Sequence, residues 1–308
     1  MVTPTRLVDN VTRFMFERAA VRGALVSLDD TCREILGQHP YPPALRRVLA
    51  ELLAASALLA STLTFKGTLT VQLQGAGPVS LLVVECTADL GLRATAQWHD
   101  TAALLPDDAP LCELAGDAAA SRLAIMLDPK DGGPIYQGIV ALEATSVAAL
   151  IEHYLTTSEQ VDSRLVLATD ATRARGMLLQ RMPSAGPADE GTWRDAASRF
   201  DTRDADLLDA TNVEALLTAR FPDADIRVLA PRAARFRCDC CSERVGNALR
   251  LLGRAEIESI LAEQGMVGVT CEFCNRRYSF VAADALALFT PRGGGGNAPP
   301  DAAQQARR

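Results

Sequence analysis

The pattern of apolar and polar residues predicts both helices and strands over the first 183 residues of the chain. Leucine and valine recur at helical spacing from Leu45 to Leu59, which predicts a helix that faces a core. Apolar and polar residues alternate from Leu69 to Gln74, and Gly75-Ala76-Gly77-Pro78 then leads into the apolar run Ser80 to Val84. This arrangement is typical of two strands joined by a turn.

A second predicted hairpin joins residues 123–127 with residues 135–142 through a turn rich in Gly, Pro and Asp. Ser146 follows and is placed to cap a helix whose apolar face extends from Val147 to Leu155.

Two further strand-like runs, residues 164–168 and 176–182, end this region. The chain lacks the regular strand-helix alternation of a doubly wound parallel sheet. We therefore predict an α+β fold, with an N-terminal domain of antiparallel sheet and helices, a helical linker and a small C-terminal domain.

Composition sets the expected domain boundaries. Residues 183–187 are rich in Pro, Ser and Gly, residues 193–221 have a helical pattern with few apolar positions, and four consecutive glycines follow Arg292. The sparse apolar area of the middle region predicts helices that depend on their neighbours for stability. The predicted division is a core domain at 1–183, a metastable helical linker at 184–233, a small four-cysteine domain at 234–290 and a disordered tail at 291–308.

The formal net charge of -7 and the pI of about 5.1 oppose a broad basic surface, so nucleic acid is not an expected partner. Residues 1–10 lack the features of a secretory signal. The most apolar stretch, Leu52 to Phe65, is too short to cross a bilayer and contains Ser and Thr. We expect a cytoplasmic protein that does not bind membranes.

The chain has eight cysteines, and five of them lie near its C-terminal end. In a reducing compartment, cysteines are thiols, metal ligands or reactive sulfurs more often than structural disulfides. The three cysteines at positions 32, 86 and 112 are scattered through apolar segments. The informative group is the C-terminal one: Cys238, Cys240, Cys241, Cys271 and Cys274.

The spacing of this group predicts one zinc ion per chain, bound by Cys238, Cys240, Cys271 and Cys274. Zinc accepts four thiolates in a tetrahedron, and such a closed site stabilises a small domain whose own core is inadequate. Between the two pairs, residues 243–252 and 255–263 predict a helical hairpin. Its expected packing residues beneath the metal are Leu249, Leu252, Ile257 and Ile260.

Spacing leaves two roles open for this site, because a four-cysteine zinc site can be permanent and purely structural. The Cys-x-Cys pair favours a switch, since a disulfide across one residue is strained and easily reduced. Two adjacent cysteines rarely reach one tetrahedral metal ion, so we interpret Cys241 as a spectator. Arg237, Arg276 and Arg277 flank the predicted ligands and are interpreted as solvated charges that could favour thiolates.

The other candidate motifs carry no catalytic chemistry. His39, His99 and His153 lie at no metal or catalytic spacing and are interpreted as ordinary core or surface residues. Gly75-Ala76-Gly77 lacks the third glycine and the helix start of a dinucleotide site. A phosphate loop and a nucleophile elbow are also missing, so we do not expect an enzyme.

With these residues in view, the chain resembles the 33 kDa chaperonin family of redox-regulated heat-shock holdases, from about Thr12 to Phe289. The most specific similarity is Phe236 to Cys240, Ile260 to Glu263 and Cys271 to Asn275, with Tyr278 and Phe280 after it. Similar segments elsewhere are Ala20 to Gly23, Val71 to Pro78, Tyr136 to Val140 and Gly176 to Gln180.

The resemblance implies a reduced, zinc-bound and inactive state in which the C-terminal domain and the linker cover an apolar client-binding surface. It further implies that oxidation joins Cys238 to Cys240 and Cys271 to Cys274, expels zinc and loosens the linker. Members of the family then form homodimers and hold unfolding client proteins without ATP. Cys241 departs from the family's usual pattern.

Two other functions stay open at the level of the sequence. The zinc module could contact nucleic acid, an alternative that the acidic charge opposes. Cys271-Glu272-Phe273-Cys274 could instead serve a thiol-disulfide oxidoreductase, which would need no bound metal.

Overall fold

The structure is a computed structural model that describes residues 7–130, 132–183, 187–200 and 204–289, except the side chains of 187–189, 204 and 205. The chain divides into two compact units. The first comprises the residues up to 238 together with 272–275, and the second comprises 239–271 and the residues from 276 onward.

A long central helix organises the first unit. The helix α1 (Asp30–Leu36) precedes it, and α2 (Pro43–Thr62) is buried without interruption from Leu52 to Ser61. A helix that is apolar on all sides is stable only inside a core. Here α2 packs against strands of both large sheets of the unit, and this accounts for the apolar stretch of the sequence.

The first sheet places β10 beside β1, then β2, β9 and β8, and β11 also pairs with β1. All of these pairings are antiparallel. The strands are β1 (Asn10–Phe16), β2 (Val21–Leu28), β8 (Ser163–Thr169), β9 (Ala174–Arg181), β10 (Ile226–Val228) and β11 (Arg232–Ala233).

The second sheet has the order β12-β5-β4-β3-β6-β7, and its pairings are antiparallel except for the parallel pair of β12 with β5. Strand β3 alternates strictly between buried and half-buried side chains, as expected for a strand with one face in the core. The strands are β3 (Gly67–Gln74), β4 (Val79–Thr87), β5 (Gly91–Trp98), β6 (Arg122–Pro129), β7 (Tyr136–Ala141) and β12 (Arg235–Phe236).

Shorter helices complete the first unit. A 3₁₀ turn, Asp100–Leu104, precedes α3 (Leu111–Ala115). The Ser146 hydroxyl accepts a hydrogen bond from the Ala149 amide and so caps α4 (Val147–Thr157). Three more helices follow: α5 (Pro187–Ser198), α6 (Asp204–Asp209) and α7 (Val213–Arg220).

These last three helices cover the outer face of the first sheet. Trp193 and Phe200 pack with Leu207, Leu216 and Leu217 into a second apolar cluster. The sheet contributes Phe14, Phe16, Val21, Leu25, Met177 and Leu179 to the same cluster. The sparse apolar residues of the predicted linker are therefore buried against the sheet and not against each other alone.

The second unit is small. It contains α8 (Ser242–Leu252), α9 (Arg254–Gln264), the antiparallel pair β13 (Met266–Thr270) and β14 (Arg277–Val281), and α10 (Ala282–Ala287). Its buried side chains, within the described residues, are Val245, Leu249, Ile257, Val267, Phe280 and Ala285.

The predicted α+β class, both hairpins of the N-terminal region, the Ser146 cap and the C-terminal helical pair are confirmed. The prediction that Leu252 packs beneath the metal is wrong, because its side chain is 59% exposed at the end of α8. Gly253 follows with φ 90° and turns the chain away. The domain boundaries stay a prediction, and the predicted tail lies outside the described residues.

Candidate metal centre

Four cysteine sulfurs meet at one place. The Sγ atoms of Cys238, Cys240, Cys271 and Cys274 all lie within 4.8 Å of one another, and all four residues are half-buried. A tetrahedral zinc ion with Zn–S bonds of about 2.3 Å places its sulfurs about 3.8 Å apart. The cluster therefore fits a four-coordinate ion, and an all-sulfur donor set favours zinc over harder cations.

The strand β12 brings the first pair of cysteines to this place. The Arg235 amide donates to the Leu90 carbonyl at 3.1 Å, and the Arg237 amide donates to the Leu92 carbonyl at 2.9 Å. Gly91 lies between these acceptors, where a Cβ atom would come within 3.1 Å of the Arg237 Cβ. Because the last of these hydrogen bonds comes from the residue before Cys238, the position of that cysteine is fixed by β5.

The second pair of cysteines lies in the turn between β13 and β14. Thr270 pairs with Arg277 as the last register position, and the Cys271 amide donates to the Arg276 carbonyl at 2.9 Å. Asn275 adopts φ 53°, a left-handed conformation that asparagine tolerates better than most residues. This tight turn directs both sulfurs of the pair to one side.

Tyr278 and Arg93 contact sulfurs of the cluster. The Tyr278 hydroxyl donates to Cys240 Sγ at 3.1 Å, and this bond raises the pKa of Tyr278 above its ordinary value. Arg93 Nη1 lies 3.9 Å from Cys238 Sγ. Burial alone would lower the pKa of Arg93. The interactions with Glu85 and Cys238 outweigh the effect of burial, so the pKa of Arg93 is raised.

The segment 272–275 packs within the first unit. The Arg93 guanidinium lies 4.2 Å from the centre of the Phe273 ring. His39 Nε2 is 2.7 Å from the Glu272 carbonyl, and Asn275 Nδ2 donates to the Gln38 carbonyl at 3.3 Å. His39 is thus a hydrogen-bonding residue beside the cluster and not one of its members.

The other cysteines differ in their surroundings. Cys32 and Cys86 are fully buried, and burial raises the pKa of each thiol to about 12. Cys112 is half-buried, and Cys241 is exposed at the start of α8. Cys241 is not among the four clustered residues, and its interpretation as a spectator stays a prediction.

Sequence reasoning missed the roles of Arg93 and Tyr278. Arg93 is one polar residue in an alternating strand and is 145 residues from Cys238, so no local signal marks it. Tyr278 is four residues after Cys274 but 38 residues from Cys240, so no local spacing links it to that sulfur.

The fold and the cluster together define an α+β protein with a candidate tetrathiolate metal centre. The family model described as Hsp33 protein matches residues 9–281. The 33 kDa chaperonin of Methylobacillus flagellatus is 44% identical over 288 residues, which cover 92% of this chain and 96% of the relative. The 33 kDa chaperonin of Chromobacterium violaceum is 41% identical over 282 residues, which cover 91% and 94%.

A solved structure has the same fold. The 33 kDa chaperonin of Thermotoga maritima, a heat shock protein 33 homolog, matches with a TM-score of 0.74 at 22% identity, over 91% of this chain and 97% of that one. The chain belongs to the Hsp33 family and is a chaperone of the Hsp33 type. Among the described helices, none combines the length and apolar character that crossing a bilayer would require.

Proposed function

We propose that the protein is an ATP-independent holdase chaperone of the cytoplasm that is inactive with one zinc ion bound and active after oxidation. The proposed ligands are Cys238, Cys240, Cys271 and Cys274. The observation that carries the proposal is the meeting of their four sulfurs within 4.8 Å in a chain of this family. A bound zinc ion would hold four thiolates together and so fold the small unit around them.

The oxidative step joins the cysteines of each pair, Cys238 to Cys240 and Cys271 to Cys274. With hydrogen peroxide as oxidant, four thiolates, two peroxides and four protons give two disulfides and four waters. Each sulfur loses one electron to a peroxide oxygen. Disulfide sulfurs are poor ligands, so the same step frees the zinc ion.

Loss of the four ligands removes the main stabilisation of the second unit. Its buried core has only six side chains within the described residues, which is too little for independent stability. We expect it to unfold, and the acidic segment that contains α5, α6 and α7 to loosen with it.

The apolar face of the first sheet supports a client-binding role. Phe14, Phe16, Leu25, Met177 and Leu179 are buried beneath α5–α7. When these helices lift, a contiguous apolar surface would become exposed, and surfaces of this kind bind unfolded chains or a second copy. We propose that the oxidised protein forms a homodimer and holds unfolding clients, without nucleic acid, membrane or catalysis.

The test follows metal, thiols and chaperone activity in the same samples. We expect the purified reduced chain to contain one zinc per chain, and peroxide with mild heat to release it with the loss of four thiols. The oxidised protein should then suppress light scattering by a denatured test protein diluted from guanidinium, while the reduced protein should not.

The chain offers a matched control in its adjacent cysteines. Cys240→Ser should lose zinc and its regulation by peroxide, whereas Cys241→Ser should keep both. A reduced chain without metal, or an oxidised chain that fails to suppress aggregation, would contradict the proposal. Turnover of insulin disulfides by a metal-free chain would favour an oxidoreductase instead.

A further inference from the structure

We propose that Arg93 is a positioning residue that restrains the opening of the metal centre by oxidants. The inference rests on the proposed function, because it concerns the same four cysteines. It adds a residue of the N-terminal sheet to a site whose ligands all lie in the C-terminal part of the chain.

Arg93 is held in one orientation by its partner on the neighbouring strand. Glu85 lies directly opposite it in the β4–β5 register. Arg93 Nε and Nη2 donate to the same Glu85 oxygen at 2.9 and 2.6 Å, and both side chains are less than a quarter exposed. A planar guanidinium fixed at two nitrogens has little freedom left, so the direction of Nη1 is set.

The fixed guanidinium then contacts one cysteine of the first pair and the turn that carries the second pair. Its Nη1 lies 3.9 Å from the Sγ of Cys238, and its centre lies 4.2 Å from the ring of Phe273, the residue before Cys274. A cation at this distance from an aromatic ring is attracted to the face of the ring, and more so where water is partly excluded. One side chain thus braces Cys238 and the turn that contains Cys274.

Two hydrogen-bond contacts to residues 38 and 39 also hold this turn. The Glu272 carbonyl contacts His39 Nε2 at 2.7 Å, and the Asn275 side chain donates to the Gln38 carbonyl at 3.3 Å. These contacts hold the ends of the segment 272–275, while Arg93 holds its middle. Their combination restricts the movement that the sulfur of Cys274 needs to reach another sulfur.

Charge adds to this restraint. Four thiolates around a divalent zinc ion carry a net charge of −2, and an adjacent guanidinium stabilises that charge. An N–H group directed at a ligand sulfur also withdraws electron density from it. Mutation of residues that hydrogen-bond to metal ligands typically weakens metal affinity about 10- to 100-fold. The cluster should therefore bind zinc more tightly, and react more slowly with peroxide, than the same cluster without the Arg93 guanidinium.

The test compares Arg93→Met, Arg93→Lys and Phe273→Leu with Arg122→Met, which removes an exposed arginine of the same sheet. Zinc released from each zinc-loaded protein after a pulse of peroxide is followed with a colorimetric chelator, and zinc affinity is measured by competition. We expect Arg93→Met to release zinc about tenfold faster and to bind it about tenfold more weakly. Arg93→Lys, which keeps the charge and loses the planar fork, should recover part of both effects.

A double-mutant cycle separates positioning from general destabilisation. If Arg93 acts through the Phe273 ring, Arg93→Met should add little to the release rate of Phe273→Leu. Release at the wild-type rate from zinc-loaded Arg93→Met would overturn the inference. If Arg93→Met cannot be loaded with zinc, the release rates of Arg93→Lys and Phe273→Leu are used instead, and wild-type rates for both would overturn the inference. A wild-type chain that holds no zinc, or keeps it under peroxide, would instead refute the proposed function.

Discussion

Burial gives the individual cysteines different reactivities. The pKa of about 12 for Cys32 and Cys86 leaves about one thiol in ten thousand as thiolate at pH 8. Cys241 is exposed. We expect iodoacetamide at pH 8 to label Cys241 in the native reduced protein and to leave Cys32 and Cys86 unmodified until denaturant is added. Peptide mass spectrometry measures this, and equal labelling of Cys86 and Cys241 would contradict it.

Asp170 illustrates how a single carboxylate links stability to pH. Burial opposes its charge, but the amides of Thr172 and Arg173, each at 2.8 Å, and the Arg173 guanidinium lower the pKa of Asp170 to about 2. A folded-state pKa below the ordinary 3.8 stabilises the native state above about pH 4, and this contribution is lost as the pH falls towards 2.

Asp170→Asn should therefore destabilise the protein at pH 7 by about 1 kcal/mol, a figure reduced for solvent screening of a partly exposed group. The difference from wild type should shrink as the pH falls below 4. Urea unfolding at several pH values measures it, with Asp107→Asn as an exposed control. A difference independent of pH would show that the carboxylate charge is not the cause.

At the scale of elements, the short core of the second unit should respond strongly to single truncations. Ile257 is fully buried in α9, whereas Leu252 at the end of α8 is mostly exposed. We expect Ile257→Ala to cost about 2–4 kcal/mol and to release zinc at lower denaturant concentration. Leu252→Ala should stay within about 0.5 kcal/mol of wild type. Equal effects of the two substitutions in urea titrations would contradict this packing.

The elements also show which features the sequence could predict. The β3–β4 and β6–β7 hairpins and the Ser146 cap depend on residues close together along the chain, and these were predicted correctly. The cysteine spacing likewise indicated the cluster. The two-residue strand β12 and the contacts of Arg93 depend on pairing across about 145 residues, which no local pattern encodes. The end of α8 was predicted correctly, but helical periodicity does not reveal that the side chain of its last residue, Leu252, lies outside the core.

At the scale of the whole molecule, the two units should differ in their dependence on metal. Structural zinc contributes about 10–16 kcal/mol in small zinc domains, more than the whole stability of most domains. A strong chelator under reducing conditions should therefore unfold the second unit and leave the α2 core of the first unit intact. Hydrogen exchange should show lost protection in α8 and β14 and retained protection in β2 and β9. Full protection of α8 without metal would contradict this expectation.

The packing of α5 on the first sheet gives the molecule an internal optical reporter. The chain has two tryptophans: Trp193 lies in α5 and is nearly buried, and the ring centre of Trp98 lies 5.3 Å from that of Tyr41, with the two rings tilted. In a Trp98→Phe variant, all indole emission would come from Trp193. A red shift of that emission would then record, in real time and without a label, the moment at which the helix leaves its sheet.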